Sequence, residues 1–213
     1  EHLNFSVARS IAMLEFLLQM FGSSAIEMIA VACGLINVIL IIQRSLWNYP
    51  FGFIMVTLYA KIFYDYQLYS EALLQIYFFL IQIYGLWYWL RSKTADGSII
   101  VVSLPPTQRR LYLLVTLLGW LGLSSLMAYL TDATHPYWDA AIATLSVMAQ
   151  FLLSRRHIES WTLWIIVDVL AIGLYWVKGL SPTAALYLVF LSLAIVGRYR
   201  WQHRLTQQRQ QIA

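Results

Sequence analysis

Two indole rings and one carboxylate share a helical face in the apolar stretch 161–175. Trp161, Trp164 and Asp168 lie at positions i, i+3 and i+7, a spacing that places them on one side of an α-helix. An isolated carboxylate at the centre of a bilayer costs at least ~2.5 kcal/mol, so Asp168 is expected to face a protein-lined or watery cavity. Aromatic walls around a polar group suit a flat small molecule with polar edges. Two structural interpretations stay open, Trp161 as an interfacial anchor and Asp168 as a carboxylate bonded to a neighbouring helix.

A second polar stripe follows the stretch 70–90. Gln75, Phe78 and Gln82 again have the spacing i, i+3 and i+7, on a segment with no charged residue after Glu71. Stacked amides can donate and accept at once, which suits a neutral substrate with hydroxyl and amide groups. Interhelical hydrogen bonds, worth about 0.6 kcal/mol on average, explain the stripe equally well.

Two asparagines are further polar candidates for the same site. Asn37 lies inside an apolar stretch, and Asn48 follows Trp47 immediately before the next one. An amide inside an apolar helix is expected to face protein and not lipid. Asn48 is equally suited to shaping the turn in which it lies.

The composition sets the class of protein. Of the 213 residues, 61% are hydrophobic and only 11% charged, whereas a soluble domain carries roughly a quarter charged residues. We therefore expect an integral membrane protein of one compact domain, with the lipid bilayer as a partner. The net charge of +4 comes from scattered basic residues, so a nucleic-acid partner is not expected. The single Cys33 excludes an intrachain disulfide and a thiolate cluster.

Enzymatic motifs are missing from the sequence. It contains no His-Glu-x-x-His, Gly-x-Ser-x-Gly, Walker loop or Gly-x-Gly-x-x-Gly pattern. The four histidines all lie in predicted loops or tails: His2, His135, His157 and His203. We therefore predict no enzymatic activity, no cofactor, no metal site and no catalytic residue.

Seven stretches have the length and apolarity of membrane-spanning helices. They are approximately 26–43, 46–65, 70–90, 111–131, 138–154, 161–177 and 183–201. Residues 1–22 are apolar from Phe5 to Phe21 but carry Arg9 and Glu15. This pattern favours an amphipathic helix at the membrane surface over an eighth span.

Basic residues predict the orientation of these spans. Arginine and lysine gather in the separators after the first, third and fifth spans and at the carboxyl end, whose tail is 202–213. The positive-inside rule therefore places the carboxyl terminus in the cytoplasm and residue 26 outside.

An internal repeat predicts the architecture. The segment Leu68–Phe78 matches Leu180–Phe190 without a gap, and Gly85 and Trp89 recur as Gly197 and Trp201. The copies, 26–91 and 138–201, each hold three spans and begin on the same side, so an inverting helix must join them. The uncharged stretch 111–131 fits that role. The sequence thus predicts an all-α membrane protein of two parallel three-helix bundles, 3+1+3, with its site between them near the midplane.

Several motifs carry a family resemblance. They are Trp47-Asn-Tyr-Pro-Phe-Gly, Leu74-Gln-Ile-Tyr-Phe, Tyr84-Gly-Leu-Trp-Tyr-Trp, Ile158-Glu-Ser-Trp-Thr-Leu-Trp with Asp168, and Lys178-Gly-Leu. Over residues 26–201 the chain resembles the PnuC family of bacterial nicotinamide riboside transporters. The resemblance implies a fold similar to SWEET sugar transporters with both repeats in one chain. It also implies facilitated diffusion by alternating access, trapping of the substrate by a cytosolic kinase, a multi-pass protein of the inner membrane, and a homotrimer.

The resemblance also implies a binding site. Trp161 and Trp164 would form an aromatic clamp with Trp47 or Phe51 opposite, since a pyridinium ring gains up to ~2 kcal/mol from cation–π contact. The amides would meet the carboxamide and ribose hydroxyls, and Asp168 would add long-range attraction. Pro50 stands where the second repeat has Trp164, so the clamp is expected to be asymmetric. The candidate set is Trp161, Trp164, Asp168, Gln75, Gln82, Asn37, Asn48, Trp47, Phe51, Phe78 and Tyr187.

Other functions fit the same pattern. Within transport, the alternatives are a carrier of another vitamin, such as thiamine or riboflavin, and a SWEET-type sugar carrier. From a different class, the alternatives are a membrane-embedded enzyme and a receptor. Competition binding distinguishes the possible transport substrates from one another. Counterflow in sealed liposomes distinguishes a carrier from an enzyme or a receptor.

Overall fold

The computed structural model describes residues 2–21, 24–67, 69–92, 99–130 and 134–212. Within these ranges the chain forms eight α-helices, one for each of the seven predicted spans and one for the amino-terminal stretch. They are α1 (His2–Phe21), α2 (Ala25–Ile42), α3 (Asn48–Asp65), α4 (Tyr69–Arg91), α5 (Pro106–Leu130), α6 (Pro136–Ser154), α7 (Glu159–Val177) and α8 (Ser181–Ile212). The all-helical prediction is confirmed. Some residues used in the predictions lie outside this description. They are residues 1, 22, 68, 131 and 213, which bound predicted elements, and the side chain of Arg9.

Five of the helices are long and apolar enough to cross a membrane, in the part of the chain that is described. Their candidate spans are Ala25–Ile42, Glu71–Arg91, Pro106–Leu130, Glu159–Val177 and Ser181–Gln210. The helices α3 and α6 are also predicted to span the membrane, but they are more polar. Helix α3 carries Asn48, Lys61 and Asp65, and α6 carries Asp139 and Gln150. Whether α1 lies on the membrane or crosses it stays a prediction.

Local sequence explains several helix ends. Ser24 and Glu27 form a capping box at the start of α2, with Glu27 N donating to Ser24 Oγ at 3.2 Å and Ser24 N to the Glu27 carboxylate at 3.3 Å. Pro106 and Pro136 occupy the first positions of α5 and α6, where proline costs no hydrogen bond. The 32 residues of α8 extend about 48 Å, so this helix is longer than the ~30 Å hydrocarbon core.

The helices pack in two sets of three. Helix α3 contacts α2 and α4, and α7 contacts α6 and α8. The two sets meet where α4 packs on α6 and α2 packs on α8. Helix α5 packs on α6, and α1 lies against α8 and α2.

Backbone conformation marks equivalent points in the two sets. The left-handed residues Arg44 (φ 59°) and Arg156 (φ 64°) follow α2 and α6. Gln67 (φ 60°) and Gly179 (φ 74°) follow α3 and α7. Within each pair, the two residues are as far apart in the sequence as Trp89 and Trp201 are. The repeat therefore extends back to Arg44. In this register Trp164 pairs with Gly52, so the predicted pairing of Trp164 with Pro50 is wrong, and Trp161 pairs with Tyr49 in place of Trp47.

A short connecting segment, Ile99–Leu104, is held between the two sets. Arg44 Nη1 donates to Ile99 O at 2.8 Å, and Arg156 Nη1 donates to Ile100 O at 2.9 Å. Val102 forms a parallel bridge with His157, through Ile158 N donating to Val102 O at 2.9 Å. Equivalent arginines of the two repeats thus bind neighbouring carbonyls of one segment, which ties the two sets together at this end.

Candidate functional site

A small polar cavity lies between α2, α3, α4 and α6. Three predicted site residues line it together, Asn37, Asn48 and Gln82. Each is buried, with 8%, 4% and 5% of its surface exposed. The helices that form this seam cavity come from both sets, so it lies where the two sets meet.

A glycine allows the amides of the seam cavity to converge. A Cβ atom on Gly52 of α3 would overlap Gln82 Oε1 and lie 3.3 Å from Asn37 Oδ1. The amide oxygens of α2 and α4 therefore approach the backbone of α3 at one point. Asn37 Oδ1 is buried without a hydrogen-bond partner among the described residues. Leaving such an acceptor unpaired costs about 1–3 kcal/mol, and a bound donor would recover that cost.

Four buried aromatic rings pack at one end of the seam cavity. Trp89 meets Tyr49 edge-on with centroids 5.7 Å apart, and Trp201 meets Trp161 edge-on at 5.5 Å. The two pairs join through Trp89 and Trp201, 6.2 Å apart. These rings, at most 5% exposed, form an aromatic plug with one pair from each repeat.

The aromatic plug contains one half of the predicted clamp. Trp161 is 2% exposed, and its ring packs so closely on Gly197 that a Cβ there would lie 2.6 Å from ring carbons. Its Nε1 has no partner in the described part of the chain. Trp164 is partly buried and packs against the hydrophobic core that contains Trp161. The clamp itself stays a prediction, and in this conformation Trp161 contributes to the core.

Asp168 on α7 and Tyr187 on α8 lie outside the lining of the seam cavity. The Asp168 carboxylate is 4% exposed and makes no hydrogen bond or ion pair with the residues that are described. It lies seven residues, about 10 Å, along α7 from Trp161. Tyr187 stacks on Tyr175 with centroids 5.3 Å apart. Asp168 therefore faces protein, as the cost of burial in lipid predicted.

The remaining candidates do not line the seam cavity. Trp47 is 71% exposed just before α3, and Gln75, Phe51 and Phe78 are partly buried. Phe78 contacts Tyr77 at a centroid distance of 5.6 Å. Their roles stay predictions.

Sequence reasoning missed four polar or aromatic residues that line the seam cavity. Tyr49 and Trp89 belong to the motifs that carry the resemblance but are not among the predicted site residues, and neither are Gln150 and Ser154. Gln150 carries the signal that singled out Gln82, an amide within an apolar helix. Ser154 gives no such signal, because its place depends on Gly85, where a Cβ would lie 3.1 Å from Ser154 Cβ.

The lining offers hydrogen bonds and aromatic surface. Amide and hydroxyl groups fit the amide and hydroxyl groups of a polar molecule, and none of the residues that line the seam cavity is acidic or basic. The cavity has a volume of about 20 Å³, room for little more than a water molecule. A nucleoside-sized ligand needs several hundred cubic ångströms, so the surrounding helices must separate to admit one.

These features define a helical membrane protein with a polar site at the seam of two helix sets. The family model for the nicotinamide mononucleotide transporter matches residues 24–203, and the chain belongs to that family. The nicotinamide riboside transporter PnuC of Escherichia coli is 28% identical over 85% of this chain and 86% of that protein. The riboflavin/roseoflavin transporter RibM of Streptomyces davaonensis is 26% identical over 82% and 83%. A crystal structure of the vitamin B3 transporter PnuC superposes with a TM-score of 0.71 at 25% identity, covering 93% of this chain and 92% of that one.

Proposed function

We propose that this protein carries nicotinamide riboside across the bacterial inner membrane by facilitated diffusion. The relatives named as nicotinamide riboside transporters support the substrate. The observation that carries the proposal is the convergence of Asn37 and Gln82 on Gly52 at the seam. These amides can bind the carboxamide and ribose hydroxyls of the riboside, which offer both donors and acceptors.

The proposed architecture is two parallel three-helix bundles, α2–α4 and α6–α8, inverted by α5. The pairing of α4 with α6 and of α2 with α8 supports it, because a two-fold axis that exchanges the bundles would exchange these two contacts. The equivalent positions of Arg44 and Arg156 support the same axis. Seven spans with a cytoplasmic carboxyl terminus follow from this arrangement and from the positive-inside rule.

Transport in this proposal is movement of the two bundles about the seam. The aromatic plug closes one end of the seam cavity, and the riboside enters when the bundles separate at the other end. The transporter performs no chemistry on its substrate. A cytosolic kinase traps the transported riboside by phosphorylation. The proposed assembly is a homotrimer.

In the proposed site, most of the polar groups come from the first bundle. At the register of the repeat, Ala149 and Ala194 stand in α6 and α8 where Asn37 and Gln82 stand in α2 and α4. Trp164 and Asp168 belong to the second bundle alone. An asymmetric molecule with a polar and an aromatic side fits such an asymmetric site.

A riboflavin carrier is the second candidate. The similarity to RibM favours it, since one scaffold binds different vitamins when a few residues at the seam differ. Competition between nicotinamide riboside and riboflavin for the purified protein separates the two functions. Displacement of bound riboside by excess riboflavin, with tighter binding of riboflavin, would reassign the substrate.

Calorimetric titration with nicotinamide riboside tests the proposed site. We expect Gln82→Met, which keeps the size of the side chain and removes its amide, to weaken binding about tenfold or more. Gln43→Met is the matched control, because Gln43 is an exposed amide at the end of α2. Equal affinities of the wild type and both variants would remove Gln82 from the site.

A further inference from the structure

A larger groove lies outside the proposed substrate site, between α5, α6, α7 and α8. Its volume is about 480 Å³. We call it the lateral groove. It is lined at one end by polar and charged side chains and elsewhere by leucine, methionine and isoleucine.

The polar rim of the lateral groove carries excess positive charge. It holds Arg109, Arg198 and Arg209, and Glu159 is the only acidic group among the described residues that line it. Glu159 is already paired, since Arg109 Nη2 lies 2.7 Å from Glu159 Oε1. Two guanidinium groups are left without a neutralising carboxylate.

Those two arginines keep donors free for a ligand. Arg198 Nη1 donates to the neutral Thr162 Oγ1 at 2.7 Å. Arg209 is exposed and makes no hydrogen bond or ion pair with any described residue. Both side chains can therefore bind an anion without breaking an ion pair.

The apolar part of the lateral groove runs along the membrane-spanning helices. On α7 the polar rim at Glu159 and the apolar end at Ile166 are seven residues, or about 10 Å, apart. Leu113 and Ile166, on its walls, are 66% and 41% exposed. Since both belong to candidate spans, the lateral groove opens toward lipid.

We propose that the lateral groove binds an anionic phospholipid. The phosphate-bearing headgroup lies along the rim between Arg198 and Arg209, and an acyl chain runs past Leu113 toward Ile166. A cationic rim and an apolar wall along a membrane span match a lipid better than a free anion, which uses only the rim. The occupant bridges α5, α7 and α8 and stabilises their packing.

Native mass spectrometry of the protein in neutral detergent tests this proposal. We expect dioleoyl phosphatidylglycerol to bind at least about tenfold more tightly than dioleoyl phosphatidylcholine. The double variant Arg198→Gln and Arg209→Gln should lose this preference. Arg209→Gln alone, at an exposed side chain with no hydrogen bond or ion pair to a described residue, should reduce it. Arg200→Gln is the matched control, because Arg200 is exposed on the same helix and does not line the groove.

Several results would overturn the proposal. Equal binding of the two lipids, or an equal loss in Arg200→Gln, would mean that the lateral groove does not recognise the phosphate. Full displacement of phosphatidylglycerol by inorganic phosphate would assign the rim to a free anion. An oligomer that dissociates in Arg209→Gln and never carries lipid would assign the groove to a second copy of the chain.

Discussion

The geometry of the seam cavity depends on a residue that has no side chain. Gly52 lets the Gln82 amide reach the backbone of α3 beside Asn37. The amides themselves could be predicted from the sequence, because a polar residue in an apolar helix has few places to lie. The glycine could not, since its role depends on two residues from other helices.

Substitution of this glycine should disrupt the proposed site. In Gly52→Ala the new methyl group occupies the position of Gln82 Oε1, so we expect the affinity for nicotinamide riboside to fall about tenfold or more. Gly122→Ala is the matched control, because a Cβ on Gly122 of α5 meets nothing within 4 Å. Calorimetry with both variants checks this prediction, and a Gly52→Ala protein that binds normally would contradict it.

His157 gives the protein a pH-dependent stability. Burial lowers the pKa of His157 from its ordinary value of 6.5, against the opposing effect of the nearby Glu159 carboxylate. Its Nδ1 is buried without a partner among the described residues. The folded protein therefore holds the neutral imidazole, while the unfolded chain takes up a proton at higher pH. This stabilisation is complete above about pH 6.5 and is lost as the pH falls through the lowered pKa.

Thermal unfolding between pH 7.5 and 5 tests the effect of His157. We expect the melting temperature of the wild type to fall toward acid pH more steeply than that of His157→Gln. His203→Gln, at an exposed histidine of α8, should behave as the wild type. Identical pH profiles for His157→Gln and the wild type would show that the imidazole does not contribute.

At the level of elements, the helices could be predicted and some of their contacts could not. Length and apolarity located α2 to α8 because a bilayer imposes both. The spacing of Trp161 and Asp168 gave their common helix, but the burial of Trp161 depends on Gly197 in another helix. The connecting segment was predicted only as a loop, because backbone hydrogen bonds from Val102 to a distant turn leave no periodic pattern.

Close packing of α7 on α8 predicts a stability effect. Gly197→Ala places a methyl group within 2.6 Å of the Trp161 ring, so we expect a loss of about 1–3 kcal/mol of stability by overpacking. Unfolding in mixed micelles measures it, again with Gly122→Ala as control. Trp161→Phe removes the crowded ring atoms and should restore part of the loss in the double variant. Additive effects of the two substitutions would contradict this contact.

At the scale of the whole molecule, the repeat could be recognised from Leu68 onward and the structure extends it to Arg44. The sequence predicts that Pro50 pairs with Trp164, a register that also aligns the identical residues Trp47 and Trp161. The left-handed turns at Arg44 and Arg156 set a different register, in which Tyr49 packs on Trp89 as Trp161 packs on Trp201. Backbone conformation thus preserves the repeat where side chains have diverged.

The volume of the seam cavity links this architecture to transport. A cavity of about 20 Å³ cannot hold a nucleoside, so binding requires the helix sets to move apart. Such a movement, repeated from the opposite end, is alternating access. A protein that works in this way exchanges an unaltered substrate between two sealed compartments.

Counterflow in proteoliposomes tests that requirement most directly. Vesicles loaded with unlabelled nicotinamide riboside and diluted into labelled riboside should accumulate label well above protein-free vesicles, and the label should be recovered as intact riboside. Gly52→Ala should abolish the accumulation, and Gly122→Ala should retain it. Absence of exchange by the folded wild-type protein, or recovery of the label as a different compound, would contradict the account.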